Sequence, residues 1–206
     1  RCQAADAPGM GYDRFCKTYA HYVRVQGVSS RVGHKAGQTV EVDWSGPTMQ
    51  LTDPVTGATT RVFLFVGCLP FSRYGFVEPT LDMRQDTWLN CHVAMFDWCG
   101  GTTPRIVPDN LKTGVIKHPR EGEIILNNAY RELAAHYSAA VLPGRPRRPK
   151  DKASVENTVW SVATWVIASL RQSEFATLAE LRAAVYEQMT RFNQEPFQKR
   201  AGSRRS

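Results

Sequence analysis

The chain is predicted to be an α/β protein whose mixed sheet is flanked by helices. An alternating stretch at Thr39 to Trp44 opens three strands in hairpin succession, and after them helical and extended patterns alternate. The 206 residues, 42% hydrophobic and 22% charged, match an ordinary globular protein. A chain of this length buries about 70% of its unfolded surface. Disordered, collagen-like and low-complexity classes are excluded, and no repeat is visible at the roughly 20–50-residue periods of solenoids and propellers.

Tyr12, Phe15, Tyr19 and Tyr22 recur at spacings of three and four, which predicts an amphipathic helix. Gly27 to Gly37 is polar, basic and glycine-rich and reads as a linker. From Thr39 to Trp44, Val40, Val42 and Trp44 fall on one face and Thr39, Glu41 and Asp43 on the other, as in a strand. The turn residues of Asp53 to Gly57 lead into a second strand, Arg61 to Leu69, and Tyr74 to Val77 makes a third. Arg84 to Cys99 has a helical pattern stopped by Gly100-Gly101.

Arg105 to Pro108 forms a short strand, Asn127 to Tyr137 a helix, and Ala139 to Leu142 another strand. Pro143 to Lys152 is expected to be a loop, followed by helices from Ala153 to Leu170 and Leu178 to Phe192. This element order is that of a ribonuclease-H-like domain with a five-stranded mixed sheet. The expected organisation is residues 1–37 as a helix and linker, 38–195 as the core and 196–206 as a basic linker.

Lys and Arg number 26 against 19 Asp and Glu, and the resulting net charge of +7 favours polyanionic partners. Five cysteines with no CxxC pair argue against a disulfide framework or a zinc ribbon and predict reduced thiols. No apolar run approaches the roughly 18–20 residues of a membrane span, and no charged leader precedes an apolar core, so a cytoplasmic protein is expected. The start at Arg1 and the stop in a basic stretch suggest a piece of a longer protein.

Three acids stand where an ordinary structural role is hard to supply: Asp43 within the first strand, Asp109 after the Arg105 to Pro108 strand, and Glu156 in the first turn of a late helix. Converging carboxylates need positive charge between them, because like charges a few ångströms apart do not all stay ionised. Hard oxygen donors suit Mg²⁺ or Mn²⁺, and two such ions about 3.5–4 Å apart would flank a scissile phosphate. The sequence has no GxSxG elbow, HExxH pair or Walker loop, in keeping with chemistry that needs no protein nucleophile. Each acid also has an ordinary reading: Asp43 as a strand end, Asp109 with Asn110 as a turn or cap, Glu156 as a first-turn acid paired with Lys152.

Pro143 to Lys152 carries Arg145, Arg147, Arg148, Lys150 and Lys152 against one acid and leads directly to Glu156. A basic loop beside a metal site is where a phosphate backbone would lie, although charged loops are commonly only solvated. Trp160, Ala163 and Ile167 continue the Glu156 side of the late helix. Val155, Val159, Val162 and Val166 form another stripe, which predicts a helix buried nearly all round. His118 reads as a surface histidine, and Cys91, His92 and Cys99 as helix-face residues, since no zinc spacing matches them. Lys199, Arg200, Arg204 and Arg205 offer either phosphate contacts or a solvated tail.

Thr39-Val40-Glu41-Val42-Asp43-Trp44-Ser45-Gly46-Pro47, Pro108-Asp109-Asn110-Leu111-Lys112 and Lys150-Asp151-Lys152-Ala153-Ser154-Val155-Glu156-Asn157 resemble the three signature blocks of the DDE transposases. More narrowly, they resemble the IstA type of insertion-sequence transposase, whose catalytic core is similar to that of retroviral integrases. The resemblance implies that Asp43, Asp109 and Glu156 bind two Mg²⁺ or Mn²⁺ ions, with Asn110, Lys112, Lys152 and Asn157 near DNA. It implies cleavage at a transposon end to expose a 3′-OH, then strand transfer into target DNA. It further implies flanking DNA-binding domains outside these residues, a homo-oligomer on DNA, an AAA+ ATPase helper of the IstB type, and a bacterial, nucleoid-associated location. The Tyr12 to Gln26 helix would be a connector, and Gly114 to Gly122 an insertion. Open alternatives are another ribonuclease-H-like nuclease or resolvase, and a non-catalytic DNA-binding assembly module.

Overall fold

The structure is a computed structural model that describes residues 11–25, 34–108, 115–117, 125–142, 149–197 and 201–205. Residues 20, 23–25, 115–117, 125–126 and 149–158 are described by their backbone alone. The chain falls into two compact units, 1–33 and 34–206. The first contains α1 (Tyr12–Val25), on which every described side chain is exposed.

The second unit runs β1 (Thr39–Trp44), β2 (Met49–Thr52), β3 (Thr59–Leu69), β4 (Tyr74–Thr80), α2 (Gln85–Cys99), β5 (Arg105–Pro108), β6 (Val115–Lys117), β7 (Ile125–Leu126), α3 (Asn128–His136), β8 (Ala140–Val141), α4 (Pro149–Leu170) and α5 (Leu178–Gln194). β3 pairs antiparallel with β4 on one side and with β1 on the other; β1 then pairs parallel with β5, and β5 parallel with β8. This is the predicted mixed sheet between helices. β1 and β5 have the bounds read from sequence, and α2 ends as expected, with Gly100 left-handed at φ 69° and its N–H donating to the Asp97 carbonyl. Asn127 caps α3 by accepting the Ala129 N–H at 3.0 Å.

The differences have local causes. The main sheet has six strands rather than five: β2, cut from β1 by Ser45-Gly46-Pro47, continues along β3, with Met49 opposite Val62. β4 extends past Val77 to Thr80 through Pro79, tolerated because β4 lies at the sheet's edge. There α5 serves as a side-chain neighbour: the Asn193 amide accepts from the Gly75 N–H and donates to its carbonyl, both at 2.8 Å. α4 starts at Pro149 instead of Ala153, since proline fits the first helical turn, where its missing N–H has no intrahelical partner. Lys150 and Lys152 therefore stand on helix backbone rather than in a loop. The antiparallel pair β6–β7 brackets much of the predicted insertion.

Each sheet face carries its own core. Val40, Val42, Trp44, Phe65, Phe76 and Ile106 pack with Trp88, Met95 and Phe96 of α2 and Tyr130 of α3. Val62, Leu64, Val66, Cys68 and Val77 pack with Val159, Val162, Ala163 and Val166 of α4 and Leu181, Val185 and Met189 of α5. α4 is not buried all round, because Trp160 is 61% exposed while Val159 and Val162 beside it are buried. The helix presents one valine face to the sheet, and a residue one position further round leaves that face.

Gly67 of β3 lies directly against the Met95 side chain of α2, so a Cβ there would collide with the thioether sulfur. Gly67→Ala is expected to destabilise the fold by about 1–3 kcal/mol through overpacking, seen as a lower urea midpoint with an unchanged slope.

Candidate functional site

β1 is the central strand from which the candidate site is built. Valine alternation turns Val40 and Val42 into the α2 side, so Glu41 and Asp43 take the opposite face, where α4 packs on β1, β3 and β4. Asp43 is the last residue but one of β1, half-buried, opposite Val66 of β3. Its Oδ1 accepts the Trp44 N–H at 2.8 Å, which orients the carboxylate at the strand end.

The pairing of β1 with β5 keeps one register throughout, Thr39 opposite Arg105 and Val42 opposite Pro108, an offset of 66 residues. Asp43 follows Val42, and Asp109 follows Pro108. Asp109, Asn110, Lys112, Arg145, Arg147, Arg148 and His118 lie outside the described residues. Lys150, Lys152, Glu156 and Asn157 are on α4, with their backbone alone described; Glu156 precedes by one turn Val159, which is buried against the β3 valines on the Asp43 face. The structure thus brings the ends of β1 and β5 together and lays α4 across the same face. Among the described residues no group of three His, Cys, Asp or Glu side chains stands close enough to hold a metal ion.

Glu41, two residues before Asp43, is an acid that the sequence reading passed over. It is 4% exposed, opposite Cys68 of β3 and Val107 of β5, and among the described residues its Oε2 has no hydrogen-bond partner. Burial pushes its carboxyl up to about 7. The signal available in sequence was the valine stripe of α4, which needs a sheet face to cover, and the Thr39, Glu41, Asp43 face is the one it covers.

Cys68 and Cys91 are buried and Cys99 half-buried; all are free thiols, pushed up by desolvation, Cys99 to about 11. His92 is fully buried in α2. Its Nδ1 donates to the Trp88 carbonyl at 2.8 Å, which leaves Nε2 to accept from the Tyr130 hydroxyl at 3.0 Å. Desolvation holds it neutral, down to about 4. It serves the α2–α3 core, as the sequence suggests. A cleft of about 490 Å³ lies at the β4 edge, where the Glu78 carboxylate receives the Arg182 guanidinium at 2.6 Å and the Tyr186 hydroxyl; it contains none of the predicted site residues.

Of the terminal basic cluster, Arg204 is not free for phosphate: it donates to the Phe192 carbonyl at 2.8 Å and lies 4.0 Å over the Phe192 ring. Lys199 and Arg200 lie outside the described residues. Among the described residues no helix is long and apolar enough to cross a membrane.

No protein-family model matches the chain. Its sequence is 36% identical over 200 residues, 97% of this chain, to a protein of Pseudomonas fluorescens named as a transposase for insertion sequence IS1162. The sequence relatives are named as transposases. The transposase of insertion sequence IS21 from Pseudomonas aeruginosa is 33% identical over 107 residues, 51% of this chain. The chain spans 36% of the length of the first and 27% of the second. The HTLV-2 integrase catalytic core domain, solved in complex with magnesium, superposes with a TM-score of 0.56 at 13% identity, covering 82% of this chain and 93% of that one. The fold is therefore that of the integrase catalytic cores, which is ribonuclease-H-like.

The two buried titratable groups give opposite pH slopes. Glu41, at about 7 against 4.5 unfolded, keeps a proton that the unfolded chain releases, so its contribution to stability falls as pH rises from 4.5 to 7. His92, at about 4 against 6.5, stays neutral where the unfolded chain binds a proton, so stability is lost as pH falls from 6.5 towards 4. Glu41→Gln removes the first slope. Urea titrations at several pH values should show variant minus parent stability shifting in the variant's favour by about 3 kcal/mol across the Glu41 window, with the variant losing stability on acidification below pH 6.5.

Proposed function

We propose that the chain is the catalytic core of an IstA-type DDE transposase that cuts transposon DNA at its 3′ ends and transfers them into target DNA. The observation that carries the reading is a coincidence of two intervals: Asp43 and Asp109 are 66 residues apart, and 66 is the register offset of the β1–β5 pair. One further step of that register would be the pair 43 and 109, and strand alternation gives Asp43 the face that α4 covers. Glu156, on α4, supplies the third acid of the proposed set.

The donors fit the proposed cofactor, since carboxylate oxygens with no sulfur or imidazole among them suit Mg²⁺ or Mn²⁺. When bound, two such ions would neutralise charge at the scissile phosphate and lower the pKa of the attacking hydroxyl. Asp43, Asp109 and Glu156 would hold them, with Asp43 at a strand end whose neighbours Val42 and Trp44 are buried. Lys150, Lys152, Asn157, Arg145, Arg147, Arg148, Asn110 and Lys112 position the DNA backbone.

In the first step a water oxygen attacks phosphorus, the bond from phosphorus to the 3′ oxygen breaks, and that oxygen takes the proton to leave as 3′-OH. In the second the 3′-OH loses its proton as its oxygen bonds a target phosphorus, the bond from that phosphorus to the target's own 3′ oxygen breaks, and the departing oxygen takes up a proton to become a new 3′-OH. Phosphodiester bonds are conserved in the second step, so it needs no external energy source. Both are in-line displacements dominated by positioning and charge stabilisation.

Transposon-end and target DNA are the proposed partners. A homo-oligomer follows from the need to join two ends, and an IstB-type ATPase helper from the resemblance to IstA. The net charge of +7 supports a nucleic-acid partner, and the proposed location is the cytoplasm, at the nucleoid.

Strand transfer separates this reading from that of a plain nuclease. With a duplex bearing a recessed 3′-OH, Mn²⁺ and a labelled target, the reading predicts a joined product longer than either substrate, lost at least about 10²-fold in Asp43→Asn. Cleavage without joining would favour the nuclease, and activity equal in Asp43→Asn would overturn the assignment of the acid.

A further inference from the structure

We propose that α1 pairs with the α1 of a second copy of this chain along the seam Tyr12, Phe15, Tyr19 and Tyr22. These residues follow one another at intervals of three, four and three, the a and d positions of two heptads. All four are exposed, by 53% to 79%, and the Phe15 and Tyr19 rings stack on one another at 5.9 Å and 11° at the middle of the seam.

The sequence around the seam fits a self-pairing helix. The positions flanking the seam, Cys16, Thr18, Val23 and Val25, carry no charge, so two copies brought together oppose no like charges. The basic residues follow the same three-four-three rhythm two residues later, at Arg14, Lys17, His21 and Arg24. At about 100° per residue that offset is the opposite side of the helix. A polyanion takes that side, and the aromatic side is left for an apolar, self-similar partner.

A lipid surface is the other occupant that a basic and aromatic helix suggests. It calls for a face that is apolar to its rim, whereas here three of the four seam residues end in a hydroxyl. Pairing through α1 gives two catalytic cores a shared anchor, with both basic stripes turned outward to DNA.

The inference deepens the assembly part of the reading above and rests on it, but its test uses neither DNA nor metal, so its failure leaves the catalytic assignment standing. In sedimentation of the 206-residue chain over the micromolar range, the parent is expected to associate reversibly. Phe15→Asp with Tyr19→Asp should weaken association by about tenfold or more, while Arg14→Glu with Lys17→Glu, on the opposite side, should not. Thermal unfolding of the 34–206 unit should be unchanged in both.

In a Cys16→Ser background, oxidation of Tyr19→Cys, alone or mixed with Phe15→Cys, should trap a disulfide dimer beyond the level of the background chain, and Lys17→Cys should not. A parent that stays monomeric, a seam variant that associates like the parent, or trapping at Lys17→Cys as ready as at the seam would overturn the proposal. So would unchanged sedimentation together with retention of the parent alone on vesicles of mixed neutral and anionic phospholipid, which would assign α1 to lipid.

Discussion

Parallel pairing of β1 with β5 constrains the chain more than any other contact. Parallel neighbours cannot be joined by a tight turn, so the chain must leave β1, build β2, β3, β4 and α2, and return to run beside β1 in the same direction. That route buries β1 on both faces and sends the ends of β1 and β5 out at the same edge. A carboxylate at such an end is held by a rigid strand yet reaches solvent, as half-buried Asp43 does. The same face of the sheet carries valines of β3, packed against valines of α4.

The same burial has a cost that falls on Glu41. It occupies a strand position that alternation sends to the α4 face, where water is excluded, and no described group satisfies its second oxygen. A carboxyl in that place favours its neutral form, and so pulls the pH dependence of stability in the direction opposite to His92 on the other side of the sheet. Two titratable groups, one under each helical layer, thus offset one another in the mildly acidic range.

Much of the fold was legible because its elements carry local signals. The alternation of Thr39 to Trp44, the Gly100 stop and the Asn127 cap each fix an element by chemistry confined to a few residues. β2 was not legible, since four residues after a Ser-Gly-Pro break acquire a strand's identity only from pairing with β3. The start of α4 was misread because proline marks a loop and a first helical turn alike. Trp160 was placed inside by a stripe argument that gives spacing but not the width of the face a sheet can cover. At the candidate site, Asp43 and the strand ends were readable from alternation, whereas the burial of Glu41 depends on a helix more than a hundred residues later and left no mark near position 41.

In the proposed reading Asp43, Asp109 and Glu156 form one divalent-cation site at the shared end of β1 and β5. Its most direct test is calorimetric titration of Mn²⁺ into the chain, with and without a short DNA duplex, for the parent and for Asp43→Asn, Asp109→Asn and Glu156→Gln. The account predicts binding that each substitution weakens, with the duplex tightening it in the parent. Binding equal in the parent and all three variants, or none even with the duplex present, would contradict it.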